Sequence, residues 1–467
     1  MGAKRILKRL LTPAARALAR GASPLPPATW GLEVTAGGRL SLAGQPLSEL
    51  RARFGSPLFV VLGDRLAANA RAWLAADRPG LRPDVHVSYK TNPVPGVLAR
   101  LHAAGLGAEV ISAYELWLAR RLGVPPDRIT FNGPVKAPDA LRDAIAAGVL
   151  LNVNHPEELP EVAAAARAAG RRARVGVRVA TTRGWSAQFG APIAGGAALR
   201  ALRAAQGSPD LEVVALHAHP GGMQRTREDA LQHAREVLAL ADEARAALGL
   251  EPGTLDLGGS LATPTVAPLG ALARRLNSAL DLDHPPPDPA ATLSPRGWVD
   301  ALLGEVEAHH RRLGRPAPRI VLEPGRALFG DAQLLLASVH AVKDPAAERP
   351  WVILDAGINL AECVRGEFHQ LYAADRMAEA PGGPQSLVGP MSSPGDLLRA
   401  SVRLPRLSPG DALAVMDAGA YFVPFASSFS FPRPAIVIVE GGEAALLRRA
   451  ETFEDLVALD VAEAGTG

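Results

Sequence analysis

Eight short apolar runs, each separated from the next by a stretch of helical character, constrain this chain more than any other feature. They are Val85–Tyr89, Ala108–Ser112, Ile129–Asn132, Leu150–Val153, Arg174–Val179, Val213–His219, Leu255–Gly258 and Ile320–Glu323. Helices are expected between them at Val97–Ala104, Ala113–Leu122, Pro138–Ala147, Pro156–Ala169 and Arg227–Leu248. Strands that alternate with helices predict a parallel sheet, because each crossover returns the chain to the same end of the sheet. Such a sheet either stays open, as in doubly wound folds, or closes on itself. Eight units with no strongly polar edge strand favour closure into a (β/α)8 TIM barrel. Leu58–Leu62, followed by a helical Asp64–Ala75, precedes the first unit. Two longer loops interrupt the rhythm: Thr181–Gly196, with Trp185 and Phe189, and Thr263–Pro295, with His284-Pro-Pro-Pro-Asp288. Barrel loops of that length are commonly functional or regulatory.

After Arg326 the rhythm changes. Ala332–Val342, Trp351–Ala356, Leu397–Leu404, Ala412–Asp417 and Ala435–Glu440 read as strands separated by Gly/Pro turns with few helices. The fold class is therefore α/β, a TIM barrel plus a second, mostly β domain. The expected domains are an N-terminal extension over 1–27, a segment over 28–55 that joins the β domain, the barrel over 56–329 and the β domain over 330–460.

Composition narrows the function classes. Acidic and basic residues nearly balance, for a formal net charge of +3, which is no electrostatic footprint for nucleic acid. The single cysteine, Cys363, excludes an intrachain disulfide framework and a thiolate metal cluster. No metal site is expected. Lys4, Arg5, Lys8 and Arg9 interleave with Ile6, Leu7, Leu10 and Leu11, so 3–20 reads as a basic amphipathic helix interrupted at Pro13. It lacks the continuous apolar core of a secretory signal, and no later run is long enough to span a bilayer. The expected location is cytoplasmic.

Among 50 basic residues only five are lysines: Lys4, Lys8, Lys90, Lys136 and Lys343. A lysine at a strand end is most often a surface residue. Yet a chain that writes arginine almost everywhere and keeps Lys90 at the end of Val85-His-Val-Ser-Tyr-Lys-Thr-Asn92 retains an amine that can lose its proton, which arginine cannot. His219 ends the sixth run, Gly258-Gly259 the seventh and Glu323-Pro-Gly-Arg326 the eighth. In (β/α)8 enzymes that rim is the active face, and the loops after strands seven and eight often hold phosphate. Gly258 and Gly259 let backbone N–H groups approach an anion, and Arg326 can clamp it.

The chain resembles the pyridoxal-phosphate enzymes of fold type III, the branch of alanine-racemase-like barrels with diaminopimelate, ornithine and arginine decarboxylases. The resemblance is carried, in order, by Tyr89-Lys-Thr-Asn92, Glu109-Val-Ile-Ser-Ala-Tyr-Glu115, Arg128-Ile-Thr-Phe-Asn-Gly-Pro-Val-Lys136, Leu216-His-Ala-His-Pro-Gly-Gly222 and Leu255-Asp-Leu-Gly-Gly259. It continues through Glu323-Pro-Gly-Arg326, Asp355-Ala-Gly-Ile-Asn359, Gly389-Pro390 to Asp396, and Gly419-Ala-Tyr421. It implies pyridoxal 5'-phosphate as cofactor, held by Lys90 as a Schiff base, with His219 stacked on its ring and Glu323 at its ring nitrogen. It implies phosphate contacts from Gly258, Gly259, Gly325, Arg326 and Tyr421, with Arg178 and Glu115 near the cofactor. Asp355, Ser393 and Tyr421 would meet substrate. The implied partners are an amino-acid substrate and a second copy of the chain, in a homodimer with shared active sites.

One departure is chemical. Gly389-Pro-Met-Ser-Ser-Pro-Gly-Asp396 puts Ser392 where the family's decarboxylases use a cysteine to reprotonate Cα, and Ser393 where an acidic or polar recognition residue follows. A hydroxyl is a far poorer acid near neutral pH than a thiol with a pKa of about 8.5. Glu109 stands where an aspartate is usual, Gly222 where a serine often contacts phosphate, and Ser260 where a third glycine is common. The expected activity is decarboxylation of an amino acid or amino-acid-like molecule other than the standard diamino acids. The alternatives are racemase-like chemistry at Cα, or cofactor binding without catalysis.

Overall fold

The computed structural model describes residues 23–184 and 188–460; the basic segment 3–20 and Trp185 lie outside them. The chain divides into two compact units. One comprises Ala67–Pro264 and Ala290–Phe329; the other comprises the residues up to Leu66, Thr265–Pro289 and the residues from Gly330 on.

The first unit is a closed barrel of eight parallel strands: β1 (Asp84–Ser88), β2 (Gly107–Val110), β3 (Ile129–Phe131), β4 (Leu150–Val153), β5 (Ala173–Ala180), β6 (Leu211–Ala218), β7 (Thr254–Asp256) and β8 (Arg319–Leu322). Each pairs with the next, and β8 returns to β1 through Val321↔Asp84 and Leu322↔Val85, which rules out the open sheet. The intervening helices start and stop on local signals. Ser112 accepts the Glu115 N–H ahead of Ala113–Arg121, and a Thr226–Asp229 capping box opens Arg227–Leu248. Pro138 opens Pro138–Ala147, and Gly148 closes it at φ +84°.

The second unit is built on a nine-stranded, mostly antiparallel sheet ordered Leu397–Val402, Gln385–Val388, Trp351–Leu354, Gln333–Lys343, Leu58–Leu62, Ala435–Glu440 and Glu443–Arg448. Ala412–Val415 joins Gln333–Lys343 and carries Leu371–Ala373. Leu58–Leu62, counted with the barrel in the sequence reading, instead runs antiparallel to Gln333–Lys343 and parallel to Ala435–Glu440. It is buried on both faces, and only a central strand of a covered sheet tolerates five consecutive apolar residues of that kind. Trp30, Leu32, Leu40 and Leu47 bury in the same apolar cluster as Leu58, Leu334 and Leu336. The Thr263–Pro295 stretch carries a helix at Ala271–Leu280, and Asn277 donates to Ser401 O at 2.8 Å within this unit. Among the described residues no helix is long and apolar enough to cross a membrane.

Candidate active site

Polar residues collect where the barrel strands end. Lys90 lies in the single turn Tyr89–Thr91 after β1, and its Nζ donates to Glu109 Oε2 at 2.5 Å and to Ser88 Oγ at 2.9 Å. Ser88 Oγ donates to the same Glu109 oxygen at 2.5 Å, closing a three-membered ring of hydrogen bonds. The Lys90 side chain is 31 % exposed and that of Glu109 only 1 %, so the carboxylate is buried beneath a partly exposed lysine. Asn132, after β3, donates to Glu109 Oε1 at 3.0 Å and to Glu323 Oε1 at 2.7 Å. His217 Nε2 lies 3.5 Å from Glu323 Oε2, a buried oxygen with no hydrogen-bond partner among the described residues.

Burial sets the protonation states. Burial alone would raise Glu323, but His217 and then Lys90 outweigh it and hold this carboxyl below the usual range. Asp256 goes the other way, pushed well above its ordinary value by burial and then by the Glu323 charge. The two neighbouring carboxyls are pushed in opposite directions, as expected when like charges share a dry pocket. His219 is lowered well below its ordinary value by burial and then by Lys90, so its ring is neutral at neutral pH. Burial and the nearby Glu109 charge raise Glu115 to about 7. Arg178 sits over the Phe189 ring at 4.8 Å.

The glycines are required by space. A Cβ on Gly259 would lie 2.2 Å from Glu323 O, and one on Gly325 would lie 2.3 Å from Thr91 Oγ1. Ser260, at φ +81°, occupies the left-handed region that explains why a glycine is common there.

The barrel therefore gathers Lys90, Arg178, His219, Gly258, Gly259, Glu323, Gly325 and Arg326 at the C-terminal ends of its strands. Asp355, Ser392, Ser393 and Tyr421 belong to the β unit. There, Asp355 accepts the Ser338 N–H at 2.7 Å, which commits part of its carboxylate to that unit's own backbone. Ser392 and Ser393 are exposed on a loop pinned by Asp396, whose carboxylate accepts the Ile358 and Met391 N–H groups at 2.8 Å each. Tyr421 stacks on Phe425.

Sequence reasoning missed Ser88, Asn132, Asn152, His217 and Asp256, and noted Glu109 only as a substitution. Ser88 and His217 each end or nearly end a strand two residues before a residue the sequence did single out, Lys90 and His219, but Lys90 sits in the turn after its strand and His219 just past the end of its own, so strand alternation did not reveal them.

Residues 64–330 match the family described as pyridoxal-dependent decarboxylase, pyridoxal binding domain. A diaminopimelate decarboxylase from Mycobacterium tuberculosis is 32 % identical over 449 residues, covering 91 % of this chain and 95 % of the relative. One from Actinosynnema pretiosum is 33 % identical over 445 residues, covering 91 % and 93 %. The solved structure of a diaminopimelate decarboxylase from M. jannaschii in complex with L-lysine superposes with a TM-score of 0.80 at 25 % identity, covering 92 % of this chain and 98 % of that one. The residues fit the family's cofactor: the unpartnered, buried Glu323 Oε2 is the acceptor a protonated ring nitrogen needs, and Lys90 presents the amine. The chain belongs to the fold type III pyridoxal-dependent decarboxylases, and is an amino-acid decarboxylase that uses pyridoxal 5'-phosphate.

Proposed function

We propose that Lys90 carries the cofactor and that the amino acid decarboxylated is not one of the standard diamino acids. The observation behind the first half is the Lys90–Glu109–Ser88 ring, a partly exposed lysine whose amine is bonded to a buried carboxylate. Behind the second half is the Ser392-Ser393 pair, where neither side chain offers a carboxylate for a distal ammonium. The named substrates of the similar proteins therefore transfer as a reaction class rather than as a substrate.

The cofactor supplies an electron sink for the charge left at Cα when carbon dioxide leaves. Glu323 and Asn132 hold that sink at the ring-nitrogen end, and the neutral His219 ring covers a face without adding charge. Gly258, Gly259, Gly325 and Arg326 would take the phosphate, Arg178 would lie near the cofactor, and Tyr421 of the β unit is assigned to the phosphate by the family resemblance alone. Asp355 and Ser393 meet the substrate. The proton for Cα comes from the Lys90 amine or from water, because the Ser392 hydroxyl is too weak an acid to match a thiol.

The working form is a homodimer. Its support is an apolar surface on each unit: Tyr114, Trp117 and Val135 are exposed on the barrel, and Phe425, Phe429 and Phe431 on the β unit.

The holoenzyme, incubated with D- and L-amino acids in deuterated water, is expected to release carbon dioxide with deuterium at Cα of the product amine. Exchange without release would replace this reading with a racemase-like one. Efficient turnover of diaminopimelate, lysine or ornithine would overturn the substrate half.

A further inference from the structure

Glu109 and Glu323 reach into the barrel from strands on opposite sides of β1, and one neutral side chain touches both. Asn132 is 4 % exposed and gives both of its amide hydrogens away, one to Glu109 Oε1 and one to Glu323 Oε1. Those two bonds exhaust its donor capacity. Its orientation is not free. Asn132 Oδ1 accepts from Asn152 Nδ2 at 2.8 Å, and a flipped amide would aim an oxygen at two carboxylates. Asn152 fits there because residue 176 is glycine: a Cβ at Gly176 would lie 2.0 Å from Asn152 Oδ1. The Asn132 backbone N–H bonds to Val110 O at 2.7 Å, which fixes it beside β2.

We propose that Asn132 is a positioning residue for the cofactor, a neutral bridge that spaces the carboxylate under the Lys90 amine from the carboxylate at the ring nitrogen. The inference rests on the assignment of Lys90 and Glu323 to those two ends of the cofactor. Without the bridge, two buried carboxylates repel until one takes up a proton. Asp256 shows that pressure a few ångströms away: burial and then the Glu323 charge push it well above its ordinary value, while among the described residues its carboxylate accepts the Gly258 N–H at 3.1 Å and a long 3.3 Å bond from Asn152. Glu323 receives Asn132 at 2.7 Å and is held below the usual carboxylate range by His217 and then Lys90. Asn132 thereby gives a donor to Lys90's partner and to the ring nitrogen's partner at the same time.

Asn132→Asp keeps the shape and replaces the shared donor with a third acidic group; Asn132→Ser keeps a single shorter donor. The dissociation constant for pyridoxal 5'-phosphate is expected to rise about tenfold or more in Asn132→Asp, the scale of a lost hydrogen bond to a charged group. The pH midpoint of the bound cofactor's visible band should move by about one unit or more. Asn132→Ser should fall between that variant and the wild type. If Asn132→Asp does not fold, Asn132→Ser decides alone. Affinity within twofold of wild type with an unmoved midpoint overturns the proposal, as does a lower melting temperature without a moved midpoint. Borohydride reduction of the wild type separates the two levels. Failure to fix the cofactor on Lys90 removes the cofactor assignment and this inference with it; a labelled Lys90 with unmoved variants removes this inference alone.

Discussion

The barrel holds two Lys–Glu pairs of the same chemistry and opposite character. Lys90 and Glu109 meet at 2.5 Å with the lysine side chain 31 % exposed; Lys136 and Glu158 meet at 2.8 Å with the lysine at 2 % and the glutamate at 9 %. Lys136 also donates to Gly133 O, and Glu158 Oε1 accepts the Asn154 N–H and the His155 N–H. The Lys136 amine is buried, and among the described residues its bonds go to Glu158 and to the backbone of Gly133 close by. An ion pair thus acts as a clasp when both members are sealed, and as a chemical handle when the lysine side chain stays partly exposed.

The sharpest way to break the comparison is to exchange the fates of the two lysines. Lys90→Arg, which cannot form the covalent link, is expected to lower turnover by at least about a thousandfold and to abolish borohydride labelling. Lys136→Met should keep the label on Lys90, as mass spectrometry of the reduced protein would show. Activity that survives Lys90→Arg would reverse the assignment. Glu323→Gln removes the charge at the ring nitrogen, and about a hundredfold loss in kcat is expected; a change confined to KM would argue against that role.

For Lys136→Met the main readout is stability. Leaving Glu158 charged and unpaired should cost about 3–5 kcal/mol in urea unfolding, and the double variant with Glu158→Gln should recover most of it. An undiminished loss in the double variant would mean the pair is not the clasp described here.

Glu115 tests the handle side by pH. Its folded value of about 7, raised by burial and then by Glu109, exceeds its unfolded value, so the folded state holds a proton that the unfolded state has released. Stability is therefore full below about 4.5 and is lost as pH rises through about 7. Glu115→Gln should flatten that fall, worth at most about 3 kcal/mol, and an unchanged stability profile would show the carboxyl to be ordinary. Smallest of all, Ser392→Cys should raise the decarboxylation rate a few-fold by restoring a thiol; no change would mean that this position does not deliver the proton.

Much of the barrel was legible because alternation and periodicity are local. All eight expected strands are present with their ends shifted by a few residues at most, and Pro138–Ala147 and Arg227–Leu248 fall where expected. Leu58–Leu62 was legible as a strand but not in its partners, since an all-apolar run states that both faces are covered and not by what. Gln385–Val388 and Glu443–Arg448 were overlooked because Ser386, Glu443 and Arg448 break their apolar pattern. In the site, Lys90 stood out by the rarity of lysine. Asn132 did not, because an asparagine before a glycine reads as a turn, and only its two carboxylate partners give it another meaning.

The sequence by itself determined the strand–helix alternation, the lysine that can lose its proton, the glycines after the seventh and eighth strands, and the missing cysteine at residue 392. Each is a property of residue type at a stated spacing. The tertiary structure alone decided that the sheet closes through β8 and β1, that Leu58–Leu62 belongs with the β unit, and that Glu109, Asn132 and Glu323 meet. The last of these brings Glu109 and Glu323, 214 positions apart in sequence, within hydrogen-bond distance of one amide, and the strand pairings span more still. Side-chain pairing across a closed barrel is set by strand register, which no local pattern encodes.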